Sequence, residues 1–199
     1  VLVITEADEQ SAVGAFTEER FDSFTSDQSF NNGTTVDAGD FTLTGFGDAA
    51  ADTFGVFNFI DAAPFDAFRP SPNGTTDLAV RVVDGNFNLP PFPPGPVGFD
   101  IVFDQPHRAW GAAFGTFGDS LRVNADGVEI GLAPNDGFLG FIDSTGTFTT
   151  IRIDTPPDFG GAITTMDNFV YATVPDFDND GVPDADDNCP AIANADQQD

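Results

Sequence analysis

Lysine is absent from all 199 residues. The six basic residues, all arginine, stand against 33 aspartates and glutamates, for a net charge of −27 at pH 7. That absence rules out a lysine Schiff base, a P-loop lysine and a Lys–Asn isopeptide crosslink. The acidic excess sets the chain against nucleic acid and anionic membrane surfaces, both of which repel it. A single histidine, His107, excludes a multi-histidine metal site, and a single cysteine, Cys189, excludes a disulfide within the chain. No apolar run is long enough to span a membrane, and no secretory apolar core remains at the start. Val1 in place of an initiator methionine leads to the expectation that a leader has been removed. Tryptophan and tyrosine occur once each beside 23 phenylalanines. Sugar-binding platforms favour rings with a polar handle, so this composition weighs against a carbohydrate cleft.

Helical periodicity is nearly missing as well. Short apolar stretches, often alternating, are separated by Gly, Asn, Asp and Pro, which predicts an all-β antiparallel sandwich of jelly-roll type over residues 1–173. Strands are expected at Val1–Ile4, Ala12–Phe16, Arg20–Phe24, Phe41–Phe46, Phe54–Phe59 and Leu78–Val83. Further strands are expected at Phe99–Phe103, Ala109–Phe114, Gly137–Ile142, Phe148–Ile153 and Thr164–Tyr171. Leu121–Ile130 reads as a hairpin whose Asp126-Gly127 turn supplies the positive φ angles of type I′. Ala62–Asn73 reads as a loop. Asn86–Pro96, with five prolines, reads as a crossing between sheets, since proline cannot donate to a ladder.

From Val174-Pro175 onward the composition changes. Asp176, Asp178 and Asp180 alternate, Gly181 holds the sixth place, and Asp187 the twelfth. A hard divalent cation takes six to eight oxygens, and alternate residues of a tightly curled chain aim their carboxylates at one point, as in a calcium loop of the EF-hand kind. Gly181 permits the sharp turn, Val182 at the seventh place offers its carbonyl, and Asp187 closes the sphere. The plainer alternative is a solvated acidic tail, with eight aspartates and no basic residue. Without metal, adjacent carboxylates repel by about 1 kcal/mol per close pair even in water. Phe177, Val182 and Ile192 bury too little to offset this and the ordering entropy. Ion binding would then supply the folding free energy of residues 174–199, which are expected to be ordered with calcium and mobile without it.

The run Asp176-x-Asp178-x-Asp180-Gly181, Asp184, Asp187-Asn188-Cys189-Pro190, Asn194, Gln197 and Asp199 resembles the thrombospondin type 3 repeat at every fixed position of that pattern. The resemblance implies calcium wrapped by the chain with almost no hydrophobic core. By it, Asp176, Asp178, Asp180, Val182 and Asp187 hold one ion, while Asp184, Asn194, Gln197 and Asp199 help hold a second. It also implies that Cys189 pairs with a cysteine of a following repeat, and that the pattern continues past Asp199. A free thiol is the alternative. Calcium at the weak affinities of extracellular modules points to a secreted or cell-surface protein. From Val97 onward the order of elements resembles the β-sandwich ectodomains of bacterial surface proteins that precede a PEP-CTERM sorting signal. The residues carrying this are Phe99–Phe103 before Gln105-Pro106, Trp110–Phe114, Gly137–Ile142, Phe148–Ile153 and Met166–Tyr171. A sorting role is not carried over, because Val174-Pro175 leads into the acidic repeat instead.

The remaining candidates are weaker. Asp167-Asn168 either meets Glu18, Glu19 or Asp22 around a second, structural calcium, or is a surface aspartate beside a turn asparagine. His107 lacks a nucleophile elbow of the G-x-S-x-G kind and reads as a loop histidine. Carboxylate pairs for glycoside hydrolysis are too abundant to signify. Asn32-Gly33-Thr34 and Asn73-Gly74-Thr75 fit glycosylation sequons but are explained as Asn-Gly turns. Val1–Thr5 is either an ordinary edge strand or a donor that completes a neighbour's sheet in an end-to-end fibre. Together these observations predict a calcium-binding, non-catalytic extracellular structural or adhesive protein that self-associates or meets a glycan or surface protein. The alternative is a carbohydrate-binding module of a larger secreted enzyme.

Overall fold

The computed structural model describes residues 2–4, 16–21, 23–25, 28–30, 33–46, 54–61, 77–84, 96, 98–143, 146–156, 162–173, 188–189, 192 and 194–198, with backbone alone for 2–4, 29, 54–61, 77–84, 116–117 and 162–163. Every regular element among them is a strand. In chain order these are β1 (Leu2–Ile4), β2 (Thr17–Glu19), β3 (Gln28–Ser29), β4 (Thr35–Asp37), β5 (Phe41–Phe46), β6 (Phe54–Asp61) and β7 (Asp77–Asp84). There follow β8 (Gly98–Gly118), β9 (Arg122–Ala125), β10 (Val128–Leu132), β11 (Asp136–Ile142), β12 (Phe148–Asp154) and β13 (Ala162–Thr173). They join into one open, entirely antiparallel sheet.

The 21-residue strand β8 organises this sheet. Its first part pairs with β5 on one side, from Phe46↔Gly98 to Phe41↔Phe103, and with β12 on the other, from Asp154↔Gly98 to Thr150↔Val102. Its second part pairs with β11 and β13, from Ile142↔Ala109 to Asp136↔Gly115 and from Thr173↔His107 to Ala162↔Gly118. One arm of the sheet then runs β10-β9-β12-β8-β5-β4, and the other β1-β11-β8-β13-β7-β6-β3, with β2 lying along the far end of β13. The arms meet at Asp104-Gln105-Pro106; the register with β12 shifts across this stretch, and that with β13 shifts just beyond it, between His107 and Ala109. Pro106 sits where the ladder is interrupted, and there its missing N–H costs nothing.

The expectation of two separate strands at Phe99–Phe103 and Ala109–Phe114 is corrected by this continuity. His107 is likewise in the strand and 3% exposed, not in a loop. Arg20–Phe24 is not a strand. The Glu19 carboxylate accepts the Phe21 amide, Phe21 takes a left-handed φ of 58°, and the Phe24 amide donates to the Phe21 carbonyl at 3.0 Å. The strand in that region is Thr17–Glu19, so Ala12–Phe16 is displaced: residues 12–15 lie outside the described residues, and Phe16 precedes the ladder. The Ala62–Asn73 loop and residues 86–95 lie outside the described residues, as do Asn32 and Asn73.

Alternation places the core. On β5, Phe41 and Leu43 point inward; on the first part of β8, Phe99, Ile101 and Phe103 do so between exposed Val102 and Asp104. From Ala109 to Ala112 burial is continuous, as it must be where a strand is covered on both faces. Trp110, Ala112 and Phe114 join the main core, while Ala109 packs with Ile142 and Ala172 in a small second cluster. Rings from the two arms touch one another: Phe41 lies 6.1 Å from Phe169 and 5.9 Å from Tyr171, and Phe103 lies 5.3 Å from Tyr171. Phe21, from the turn after β2, wedges edge-on against Phe169 at 5.0 Å. Two of these four contacts, Phe41 with Tyr171 and Phe21 with Phe169, are edge-to-face, an arrangement the ring quadrupole favours.

Candidate metal centre

Residues 174–187 and Asp199 lie outside the described residues, so this holds for Asp176, Asp178, Asp180, Val182, Asp184, Asp187 and Asp199. Asn194 and Gln197 are described, and the structure brings them together with Asn188. The Asn188 amide donates to Gln197 Oε1 at 2.9 Å, and Asn188 Nδ2 donates to the Gln197 carbonyl at 3.0 Å. Asn194 Nδ2 donates to Asn188 Oδ1 at 2.7 Å, and the Gln197 amide donates to the Asn194 carbonyl at 2.6 Å. The Ile192 amide donates to the Cys189 carbonyl at 2.9 Å. Gln197 adopts a left-handed φ of 54°, which reverses the chain so that its side chain reaches Asn188. Three side-chain amides, nine residues apart at most, thus knot a stretch whose described large apolar side chain, Ile192, is exposed.

The donor set is all oxygen and amide, hard and largely neutral here, and that chemistry fits calcium. Gln197 Oε1 already accepts the Asn188 amide, so an ion held there would share that oxygen through its second lone pair. Cys189 is half-buried within this knot and has no cysteine in the chain to pair with.

The second calcium expected near Asp167 finds no support among the described residues. Asp167 is fully buried, not a surface residue, and lies in a bulge where the register of β13 on β8 shifts between Asp167 and Val170. Asn168 takes a left-handed φ of 51° there, and its amide donates to Asp167 Oδ1 at 2.6 Å. Glu19 and Glu18 stand opposite Phe169 and Val170, so the two chain regions do meet as expected, but Asp22 lies outside the described residues. No group of three His, Cys, Asp or Glu residues among the described residues could hold a metal.

Two polar features escaped sequence reasoning. Arg122 on β9 grips Asp154 on β12 with two hydrogen bonds, at 2.8 and 2.9 Å, and Arg152 grips Asp100 at 2.7 and 2.8 Å while lying 4.4 Å over the Phe46 ring. The carboxylates raise both guanidinium pKa values, chiefly through these hydrogen bonds. Arg122, Arg152 and Asp154, with Asn124, Asp126, Thr150 and Pro96, line a cleft of about 640 Å³. In an acidic chain with six arginines, strand-borne Arg122 and Arg152 were the available signal, but their partners sit 32 and 52 residues away in sequence.

The family model described as the thrombospondin type 3 repeat matches residues 175–197, which is where the repeat was recognised in the sequence. No curated protein matches the chain. Thrombospondin type 3 repeats bind calcium and occur in extracellular proteins.

Proposed function

We propose that the protein is a secreted or surface-exposed, non-catalytic structural or adhesive component, made of a jelly-roll-like β-sandwich (residues 1–173) and a calcium-binding segment (residues 174–199). The match of residues 175–197 to a calcium-binding extracellular repeat carries this reading. An all-antiparallel sheet whose two arms meet ring to ring supports the sandwich. Among the described residues no helix is long and apolar enough to cross a membrane.

Asp176, Asp178, Asp180, the Val182 carbonyl and Asp187 would hold one ion, and Asp184, Asn194, Gln197 and Asp199 a second. Calcium supplies the positive charge that cancels their mutual repulsion. The knot of Asn188, Asn194 and Gln197 orients the carboxyl-terminal donors, and the segment becomes a stiff connector at extracellular calcium concentrations. Calorimetry at millimolar calcium tests this directly: heat of binding is expected, and Asp178→Asn with Asp180→Asn should abolish it. No heat in the unaltered protein overturns the reading. Electron microscopy with calcium and with chelator reads self-association into oligomers or fibres. Leu2–Ile4 pairs with Gly140–Ile142 of its own chain, the arrangement of an ordinary edge strand, so any such assembly would use other surfaces or exchange this strand.

The cleft around Arg122, Asn124, Arg152 and Asp154 favours a second reading, a carbohydrate-binding module, because charge-paired planar groups in fixed positions suit sugar hydroxyls. Trp110, fully buried, is no platform for a sugar ring and counts against it. A glycan array, with Asn124→Ala as control, separates the two.

A further inference from the structure

A second cavity, of about 300 Å³, opens where the two arms of the sheet meet. Phe16 and Thr17 line it from the start of β2, Asp40 from the turn before β5, Asp104, Gln105 and His107 from the middle of β8 where its partners change, and Tyr171 to Thr173 from the end of β13. Its volume is at the small end of ligand pockets. Its charged groups, Asp40 and Asp104, are of one sign, beside the hydroxyls of Thr17 and Thr173 and the Gln105 amide. Gln105 O lies 2.7 Å from His107 Nδ1; a carbonyl only accepts, so Nδ1 carries the proton and Nε2 presents a bare lone pair. His107 is 97% buried, and among the described residues Nε2 has no hydrogen-bond partner although the ring lines the cavity. Tyr171 Oη gives its proton to Asp40 Oδ2 at 3.1 Å, leaving the rest of that carboxylate available. Among the described residues no cation pairs with Asp40 or Asp104. The cavity is therefore rich in acceptors, negative, and bordered by the rings of half-exposed Phe16 and of Tyr171.

A monatomic ion does not suit it, since among the described residues no three carboxylate or imidazole groups converge closely enough to ligate one. The complement is a polyatomic cation with several N–H donors and a short apolar stem, which can reach separated acceptors and lie against aromatic faces. These 199 residues hold no lysine, so such a side chain would come from outside them. Its net charge of −27 raises the local concentration of any cation that does. We propose that this cavity binds a primary ammonium group on an alkyl stem, held by Asp40, Asp104 and His107 Nε2, with the stem against Phe16 and Tyr171. The source is either a free alkylamine or a lysine side chain of another molecule.

His107 is the sole histidine, so its imidazole resonances report on this cavity alone. The experiment is an imidazole ¹⁵N titration of the full chain at saturating calcium. The probes are cadaverine, Nα-acetyl-lysine methylamide, its Nε-acetyl counterpart and 1-pentanol. A saturable His107 shift with the amines, absent with the uncharged analogues, is expected. Asp104→Asn, an isosteric change at an exposed side chain, should weaken binding about tenfold while leaving the ligand-free His107 signal in place. Binding of cadaverine alone assigns the site to free amines, and tighter binding of the lysine derivative assigns it to a partner's lysine. Equal shifts with acetylated lysine or pentanol, no saturable shift with either amine, or unchanged affinity in Asp104→Asn overturns the proposal. Because calcium is saturating throughout, failure here leaves the calcium reading untouched.

Discussion

His107 lies between the Phe103 ring, at 4.3 Å between centroids, and the Tyr171 ring at 5.2 Å. Burial lowers its pKa below 6.5, only partly offset by the Gln105 carbonyl and the Asp40 carboxylate. Above the unfolded value neither state carries the proton, so the residue contributes no pH dependence there. As pH falls below 6.5 the unfolded chain takes up a proton that the folded chain resists, and stability falls with it. The imidazole NMR titration should therefore have its midpoint below 6.5 in the folded protein. In His107→Gln, the onset of acid destabilisation should shift toward the carboxylate range. Gly98 gives a second prediction of this size. A Cβ there would overlap the Ile153 carbonyl oxygen and come within 2.9 Å of Asp154 Cα, both backbone atoms of β12 that cannot step aside. Gly98→Ala should cost about 3 kcal/mol in chemical denaturation.

Individual elements show where local signals suffice. The hairpin between β9 and β10 turns at Asp126 and Gly127 with φ of 43° and 82°, as the dipeptide predicts. The alternation in Phe41–Phe46 and Phe148–Ile153 likewise locates β5 and β12 closely. Pro106 misled because proline reads as a strand breaker, whereas here it falls in the gap between the two parts of β8 that pair with β12, where no amide donor is needed. Arg20–Phe24 misled because two phenylalanines read as strand, and a carboxylate two residues from Phe21 captured its amide instead. Thr35–Asp37 is too short and polar to announce β4. The calcium pattern was legible because its donors are neighbours in sequence. The proposed amine cavity was not, since its walls come from four stretches distant in sequence that only the fold brings together. Between β9 and β12, the Arg122–Asp154 pair is the main polar tie, with Asp154 almost fully buried. Arg122 is a quarter exposed and stays partly hydrated when its partner is lost, which moderates the penalty. Asp154→Ala should cost about 2 kcal/mol. It should raise amide exchange in β9 and β10 before it does so in β13.

For the molecule as a whole, electrostatics set the response to conditions. A net charge of −27 disfavours compactness, and cations that bind only the folded form offset it. Calcium at ten times its dissociation constant should stabilise residues 174–199 by about 1.4 kcal/mol. Chelation should raise hydrogen exchange at the Asn188 and Gln197 amides, whose acceptors lie within the same knot, and leave the amides of β8 unchanged. Equal protection of Asn188 with and without chelator would show that the side-chain amides alone hold the knot.

The pairing of β13 has a mechanical corollary. Its twelve residues are bonded to β8 along one side and to β7 and β2 along the other. A pull along the strand from Thr173 would have to shear these ladders together, many bonds at once, and could not peel them singly. The three-residue attachment of β1 to β11 resists far less. A tether fastened to Thr173 would therefore hold under tension after one fastened to Leu2 had given way.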